Sequence, residues 1–252
     1  MACTLGPLQL RYYGLCFAGG FVAGYLIMQR LFRQRGYDTS ALDSLVVYLF
    51  IGTVLGARLG HCLIYEPDYF LQHPLEILMV HRGGLASHGG TLGIVLAFVL
   101  WCMRHRRYHF LEVADMLTMP VALEGALIRL GNFFNSEITG LPWNGPWAVV
   151  FARTGDPTPR HPVQLYECAS YLIIAAALAL IYRLRPARPA GELLALALIA
   201  VFGVRLALEQ FKPEQAAYST GLPLTVGQLL SIPFILAGVA LLVCAQRRGT
   251  RS

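Results

Sequence analysis

Residues 127–140 read L-I-R-L-G-N-F-F-N-S-E-I-T-G, a polar cluster at the end of a long apolar run. The cluster contains Arg129, Asn132, Asn135 and Glu137. A charge at the centre of a membrane helix costs about 2.5–3.5 kcal/mol on insertion scales, so such a residue usually marks a function. The favoured interpretation is a binding site in which Arg129 holds an anion. The alternative is a helix end at the membrane interface, where the arginine extends its charge toward the lipid headgroups.

The composition of the whole chain agrees with a membrane setting. Apolar residues make up 56% of the 252 residues and charged residues only 13%. This balance excludes a disordered chain and indicates an all-α, polytopic integral membrane protein that forms a single domain over residues 1–252. We predict seven transmembrane helices, at about 12–28, 42–65, 85–103, 111–130, 163–182, 193–211 and 224–245, with a small extracytoplasmic head section at about 131–162.

The distribution of arginine predicts the orientation. Arginine clusters follow the first, third, fifth and seventh spans, and the positive-inside rule places these loops in the cytoplasm. The N-terminus is then extracytoplasmic and the C-terminus cytoplasmic, and the first span is expected to remain as an uncleaved anchor. Short basic clusters between apolar spans do not predict nucleic-acid binding. The six cysteines lack C-x-x-C spacing, so no metal site and no cofactor is predicted.

Several arginines lie within or at the ends of the predicted spans, and a planar guanidinium binds phosphate through two hydrogen bonds. They are Arg58, Arg82, Arg129 and Arg205. Arg205 and Glu209 are spaced i, i+4 and share a helix face, as a phosphate site or as a structural ion pair. Arg58 is expected to pair with Glu66 or to contact a headgroup. The G-x-x-x-G spacing at 52, 56 and 60 favours helix packing over function.

Other polar residues allow both a functional and a structural interpretation. His88, in S-H-G-G at a helix start, has the side chain best suited to proton transfer near neutral pH, or it is a structural hydrogen-bonding residue. Tyr13 either belongs to an aromatic belt or hydrogen-bonds a lipid. Gln164, Tyr166 and Glu167 either face a pocket or cap the fifth span.

Six motifs carry a resemblance to a known family. They are R-Y-Y-G at 11–14, H-R-G-G-L-A-S-H-G-G at 81–90, R-L-G-N-F-F-N-S-E-I-T-G at 129–140, R-H-P-V-Q-L-Y-E at 160–167, R-L-A-L-E-Q-F at 205–211 and L-T-V-G-Q-L-L-S-I-P at 224–233. Together they resemble bacterial prolipoprotein diacylglyceryl transferase over nearly the whole chain. The 129–140 motif is the most specific of the six.

The resemblance implies a seven-span enzyme of the bacterial inner membrane. Such an enzyme moves the diacylglyceryl group of phosphatidylglycerol onto the lipobox cysteine thiol in the signal peptide of a preprolipoprotein. A thioether forms and glycerol phosphate leaves, and the partners are these two substrates and the surrounding membrane lipids. The positions that match family residues used for activity or lipid binding are Tyr13, His88, Arg129, Asn132, Glu137, Gly140, Arg205 and Glu209, with Asn135 in the same lipid-binding cluster.

A division of roles follows as a hypothesis. His88 takes the thiol proton, Arg129 and Arg205 hold the phosphate, Asn132 and Tyr13 orient it, and Glu137 and Glu209 fix the arginines. Two other functions stay open: a protein that binds or moves lipid without chemistry, and a related transferase with a different thiol acceptor. A candidate proton acceptor favours an enzyme over a carrier, and the chain lacks the internal repeat typical of transporters.

Overall fold

The structure is a computed structural model that describes residues 3–5, 8–79, 83–213 and 224–249. The chain forms two compact units: the larger unit comprises residues 1–28 and 111–252, and the smaller unit comprises residues 29–110. The helices are α1 Tyr12–Gln34, α2 Thr39–Gly60 with a π-helical extension His61–Tyr65, α3 Pro67–Gln72, α4 Ser87–Arg104, α5 Phe110–Asn135, α6 Val163–Leu184, α7 Glu192–Leu208 and α8 Val226–Gly249. Short strands β1 Cys3–Leu5 and β2 Leu8–Leu10 precede α1.

Each of the seven predicted spans is occupied by a long helix. Four helices in the described part of the chain are long and apolar enough to cross a membrane, namely Tyr12–Gln34, Thr39–Tyr65, Val163–Leu184 and Val226–Arg248. The prediction of an all-α membrane protein is therefore confirmed. A full crossing by α4, α5 and α7 stays a prediction, because α4 and α7 are shorter and α5 contains several charged residues.

In the smaller unit, α2 and α4 pack with their backbones in contact. A Cβ added at Gly56 would collide with the carbonyl oxygen of Gly89, and one added at Gly52 would collide with that of Gly93. Only glycine allows such an approach. The predicted packing role of the G-x-x-x-G spacing is confirmed.

Arg58 is buried beside this contact and binds backbone carbonyl groups rather than a carboxylate. Its guanidinium donates to the carbonyl oxygens of Ile77 at 2.9 Å and Gly83 at 2.6 Å, and also to those of Glu76 and Gly84. The expected pair with Glu66 is therefore wrong among the described residues, and contact with a headgroup stays a prediction. Arg58 fixes the segment that leads into α4. Arg82 lies outside the described residues.

In the larger unit, the first half of α1 packs closely along α5. Glu124 presses against Gly20, and a Cβ on Gly24 would lie 3.1 Å from that of Pro120. At the other end of α5, the carboxylate of Asp115 accepts hydrogen bonds from the backbone of Gly191 at 2.9 Å and Leu194 at 2.8 Å. These bonds satisfy N–H groups at the start of α7 that have no partner within that helix.

The head section begins later than predicted, because α5 continues to Asn135. Strands β3, Val149–Val150, and β4, Pro159–Arg160, then form a small antiparallel hairpin. Within it, Asp156 binds Arg160 at 2.7 Å. Hydrogen bonds from Arg160 and Thr158 lower the pKa of Asp156 from 3.8 to about 2.

Candidate functional site

The end of α5 is a strained turn that redirects the chain at Glu137. Ser136 and Ile138 have φ angles of 59° and 56°, a left-handed conformation that non-glycine residues rarely adopt. The N–H of Glu137 donates to the carbonyl of Asn132, and the N–H of Ser136 donates to the carbonyl of Phe133. These two hydrogen bonds form a Schellman cap. Strain of this kind is often found at functional sites, so the turn is a candidate positioning device.

The turn folds the Glu137 carboxylate back onto the last turns of α5. It accepts hydrogen bonds from the amides of Asn132 at 2.9 Å and Asn135 at 3.2 Å. The backbone carbonyl of Glu137 accepts another from Gln164 on α6, at 2.7 Å. Glu137 therefore makes no direct ion pair with Arg129 and reaches it through Asn132, and its predicted role in fixing that arginine stays a prediction.

Arg129 is held instead by Glu167 of α6. Its Nε lies 2.9 Å from Glu167 Oε2, and the contact is ionic, since no well-aligned hydrogen bond reaches that oxygen. One terminal nitrogen donates to Asn132 Oδ1 at 3.4 Å, and the guanidinium lies near enough to Tyr171 to affect it electrostatically. The Arg129 side chain is 17% exposed, whereas Glu167 is fully buried. This arrangement anchors Arg129 from one side and leaves N–H groups for another acceptor.

Arg205 and Glu209 are not ion-paired in the described part of the chain, so the alternative of a structural ion pair is wrong. The backbone of Glu209 is still helical, with φ −60° and ψ −30° and its N–H bonded to the Arg205 carbonyl, so the direction of the carboxylate, and not the end of the helix, separates the two charges. Glu209 lies 3.4 Å from Lys212 and packs against Gly227. Arg205 lies near enough to Tyr171 to affect it electrostatically, so both candidate arginines approach the same side chain.

Tyr13 and Gly140 also lie in the larger unit, where both make close packing contacts. The ring of Tyr13 lies against Gly131, where a Cβ would approach within 2.8 Å of it. Gly140 lies beneath His161, whose carbonyl would be 2.5 Å from a Cβ at that position. A side chain at either glycine would displace a neighbour, so both positions require glycine for packing.

An aromatic cluster surrounds His161 and was not predicted as a unit. The rings of Trp143 and His161 stack at 4.3 Å, and Phe211 lies 5.0 Å from the imidazole. The indole N–H of Trp147 donates to the Tyr166 hydroxyl at 2.8 Å. The cluster joins the head section to α6 and to the end of α7. Tyr166 thus packs within a cluster rather than only capping its helix.

His88 lies in the smaller unit, on the first turn of α4, and its side chain is exposed. The backbone before it is fixed by α2, because the N–H of Ala86 donates to the carbonyl of Ala57 at 2.9 Å. The imidazole is therefore presented from a rigid helix start. Its predicted role as a base stays a prediction.

Comparison with known proteins decides the family. The family model for prolipoprotein diacylglyceryl transferase matches residues 1–244. The chain belongs to the prolipoprotein diacylglyceryl transferase family. It is similar to the protein named phosphatidylglycerol–prolipoprotein diacylglyceryl transferase from Tolumonas auensis, at 51% identity over 98% of this chain and 95% of the relative. A protein of the same name from Chloroherpeton thalassium is 47% identical over 95% of this chain and 89% of its own length. The relative from Cupriavidus pinatubonensis is 38% identical over 100% of this chain and 93% of its own length.

Two charged residues of this diacylglyceryl transferase were missed or left undecided by sequence reasoning. The sequence left Glu167 undecided between a pocket and a helix cap, and it gave no role to Lys212, the one lysine of the chain. The signal that could have identified Glu167 is a carboxylate one turn into an apolar helix. Such a group is costly in hydrocarbon and therefore requires a partner. Lys212, which is also buried, meets the same requirement.

Proposed function

We propose that this membrane transferase moves the diacylglyceryl group of phosphatidylglycerol onto the lipobox cysteine thiol of a preprolipoprotein. Membership of the family supports the reaction, and the names of the relatives supply the two substrate classes. The product is a thioether and glycerol phosphate leaves, which would be the first step of bacterial lipoprotein maturation.

The observation that carries the proposal is the state of Arg129. Its guanidinium is fixed on the Nε side by Glu167, partly exposed, and bound to Asn132 only by a long 3.4 Å contact. A planar guanidinium with N–H groups to spare matches a phosphate in geometry and charge. Because glycerol phosphate is an anionic leaving group, a fixed cation beside it would stabilise the charge that develops as the C–O bond breaks.

The neighbouring residues support this cation rather than replace it. Asn132 is buried, and it accepts from Arg129 and donates to Glu137, so its two polar groups already have partners. We therefore assign Asn132, Asn135 and Glu137 the orientation of Arg129, and no longer direct contact with the phosphate. Arg205 would supply a second positive charge, as its shared neighbour Tyr171 suggests.

The bond changes in the proposed reaction balance. The cysteine sulfur attacks the glycerol carbon that bears the phosphate ester, the C–S bond forms, and the C–O bond breaks toward the phosphate. A thiol of ordinary pKa, about 8.5, attacks as the thiolate, so a base must accept its proton. We assign this proton to His88, from the sequence motif and the exposure of its side chain.

A transfer assay on the purified protein tests the proposal. The protein is mixed with phosphatidylglycerol and a lipobox peptide, and thioether product and glycerol phosphate are measured together. Equal amounts of both are expected. Lipid binding without either product would favour a protein that only binds or moves lipid, and turnover limited to another thiol would favour a related transferase. A His88→Ala variant that binds lipid but does not turn over supports the base, whereas an active one removes it.

Family membership and helix composition support a multi-pass membrane location, and we propose the bacterial inner membrane. Arginines in the last turns of α1, α4, α6 and α8 support cytoplasmic ends for these helices. The N-terminus and the head section would then be extracytoplasmic, and the two units would work as one domain. Labelling of single cysteines in the head section by a membrane-impermeant reagent on intact cells would test the orientation.

A further inference from the structure

Glu167 is a buried carboxylate shared by two cations from different parts of the fold. Its Oε1 accepts a hydrogen bond from Lys212 at 2.8 Å, and its Oε2 lies 2.9 Å from Arg129. The carboxylate is 1% exposed and the Lys212 side chain 6% exposed, so water screens neither of them. One carboxylate thus links α5, α6 and the turn that follows α7.

This carboxylate belongs to a cluster of four charges whose sum is zero. Lys212 also lies 3.4 Å from Glu209, which places two cations, Arg129 and Lys212, with two carboxylates, Glu167 and Glu209. Removing one member of a buried set leaves an uncompensated charge, whereas removing a cation and a carboxylate together restores neutrality. The set therefore predicts strong coupling between substitutions at positions 167 and 212.

The same carboxylate competes with any phosphate that binds Arg129. Glu167 contacts only the Nε side of the guanidinium, but a carboxylate and a phosphate attract the same cation. A less neutralised Glu167 therefore draws Arg129 more strongly toward itself and away from a phosphate. Lys212 binds the other oxygen of Glu167 and partly neutralises the carboxylate, which weakens the attraction between Glu167 and Arg129. We propose that Glu167 and Lys212 are positioning residues that act through Arg129: Glu167 fixes the guanidinium, and Lys212 weakens this hold enough for a lipid phosphate to bind. This proposal rests on the proposed function.

A double-mutant cycle on the full-length protein tests the proposal. Glu167→Gln and Lys212→Met each remove one charge at nearly constant shape, and kcat and KM for phosphatidylglycerol are measured in mixed micelles. We expect each single variant to lower kcat/KM by at least about tenfold, with KM rising in Lys212→Met because Glu167 then holds Arg129 more tightly. Independent effects would multiply to about a hundredfold, but the neutral double variant should stay within about tenfold of the wild type.

The activity of the wild-type protein distinguishes failure of this proposal from failure of the proposed function. If the wild type forms no thioether, the proposed function fails. If the wild type is active but the two effects multiply, only the positioning proposal is overturned.

A purely structural ion pair makes a different prediction. It would reduce the amount of folded protein, while the folded fraction kept the KM of the wild type. Kinetics are therefore measured on the monodisperse fraction well below its melting temperature, and an unchanged KM in both single variants overturns the proposal. Glu192→Gln is the matched control, because Glu192 is also a buried carboxylate paired with an arginine, Arg185, and it lies at the start of α7. It should leave KM unchanged.

Discussion

Replacing Arg129 by lysine separates the charge of the guanidinium from its shape. Arg129 contacts Glu167 through Nε at 2.9 Å, and it uses other nitrogens for Asn132 and for the proposed phosphate. Lysine carries a single nitrogen at the end of its side chain, so it cannot contact Glu167 and also donate two parallel hydrogen bonds to a phosphate. The variant keeps the positive charge but loses at least one charge-assisted hydrogen bond to the ligand.

The size of the effect follows from that lost bond. A hydrogen bond to a charged group contributes about 1.5–3 kcal/mol, and each 1.36 kcal/mol changes a rate about tenfold. Arg129→Lys should therefore lower kcat/KM for phosphatidylglycerol by about 10- to 150-fold. The loss should be found in kcat as well as KM, because the leaving phosphate gains charge in the transition state.

The assay is transfer to a lipobox peptide at several phosphatidylglycerol concentrations, with folding checked by size-exclusion chromatography. Arg183→Lys is the matched control, because this exposed arginine in the last turn of α6 makes the same chemical change away from the site. Its activity should equal that of the wild type. Transfer by Arg129→Lys within about twofold of the wild type would show that charge alone suffices and would refute bidentate binding.

Three further predictions concern the fold and the head section. Gly56→Ala should lower the free energy of unfolding by about 1–3 kcal/mol, because the added methyl group meets backbone atoms. Gly203→Ala is the control and should not lower it, because its methyl group meets open space. Thermal melting in detergent compares the two variants. Gly20→Ala should also lower the melting temperature, because the new methyl group collides with the Glu124 carboxylate. Adding Glu124→Ala to this variant should largely restore the melting temperature, and additive losses would contradict the described packing. Because the pKa of Asp156 is lowered from 3.8 to about 2, its contribution to stability is complete above 3.8 and is lost as the pH falls through about 2. Asp156→Asn should remove that acid transition from the tryptophan fluorescence of the head section, and an unchanged transition would assign it to another group.

Helix positions could be predicted because hydropathy and helix length are local properties. The predicted span 163–182 became α6, Val163–Leu184, and 12–28 became the first part of α1, Tyr12–Gln34. The end of α5 was less predictable, because Gly131 suggested a break. Gly131 instead continues the helix to Asn135, and it is glycine because the Tyr13 ring occupies the space of a side chain.

The sequence named the polar residues that cluster at the end of α5, but it did not show their partners. Spacing along a helix shows which face a side chain shares, and this holds only while the helix continues. Arg205 and Glu209 keep helical spacing, but the Glu209 carboxylate lies 3.4 Å from Lys212 and is not paired with Arg205. The left-handed residue Ser136 redirects Glu137 toward Asn132. Residue spacing shows neither the direction of a carboxylate nor a turn of this kind.

The partner of Arg129 was unpredictable for a different reason, because Glu167 is distant in sequence and meets Arg129 only through the packing of α5 against α6. Exposure then separates the tasks of the two cations on this carboxylate. Arg129 is 17% exposed and Lys212 only 6%, so the guanidinium is the cation with access to a ligand. A planar fork suits a phosphate, whereas a compact ammonium suits a site between the carboxylates of Glu167 and Glu209. The chain thus places each type of cation where its shape is useful, and in the proposed mechanism the cation that binds the phosphate depends on one that does not reach it.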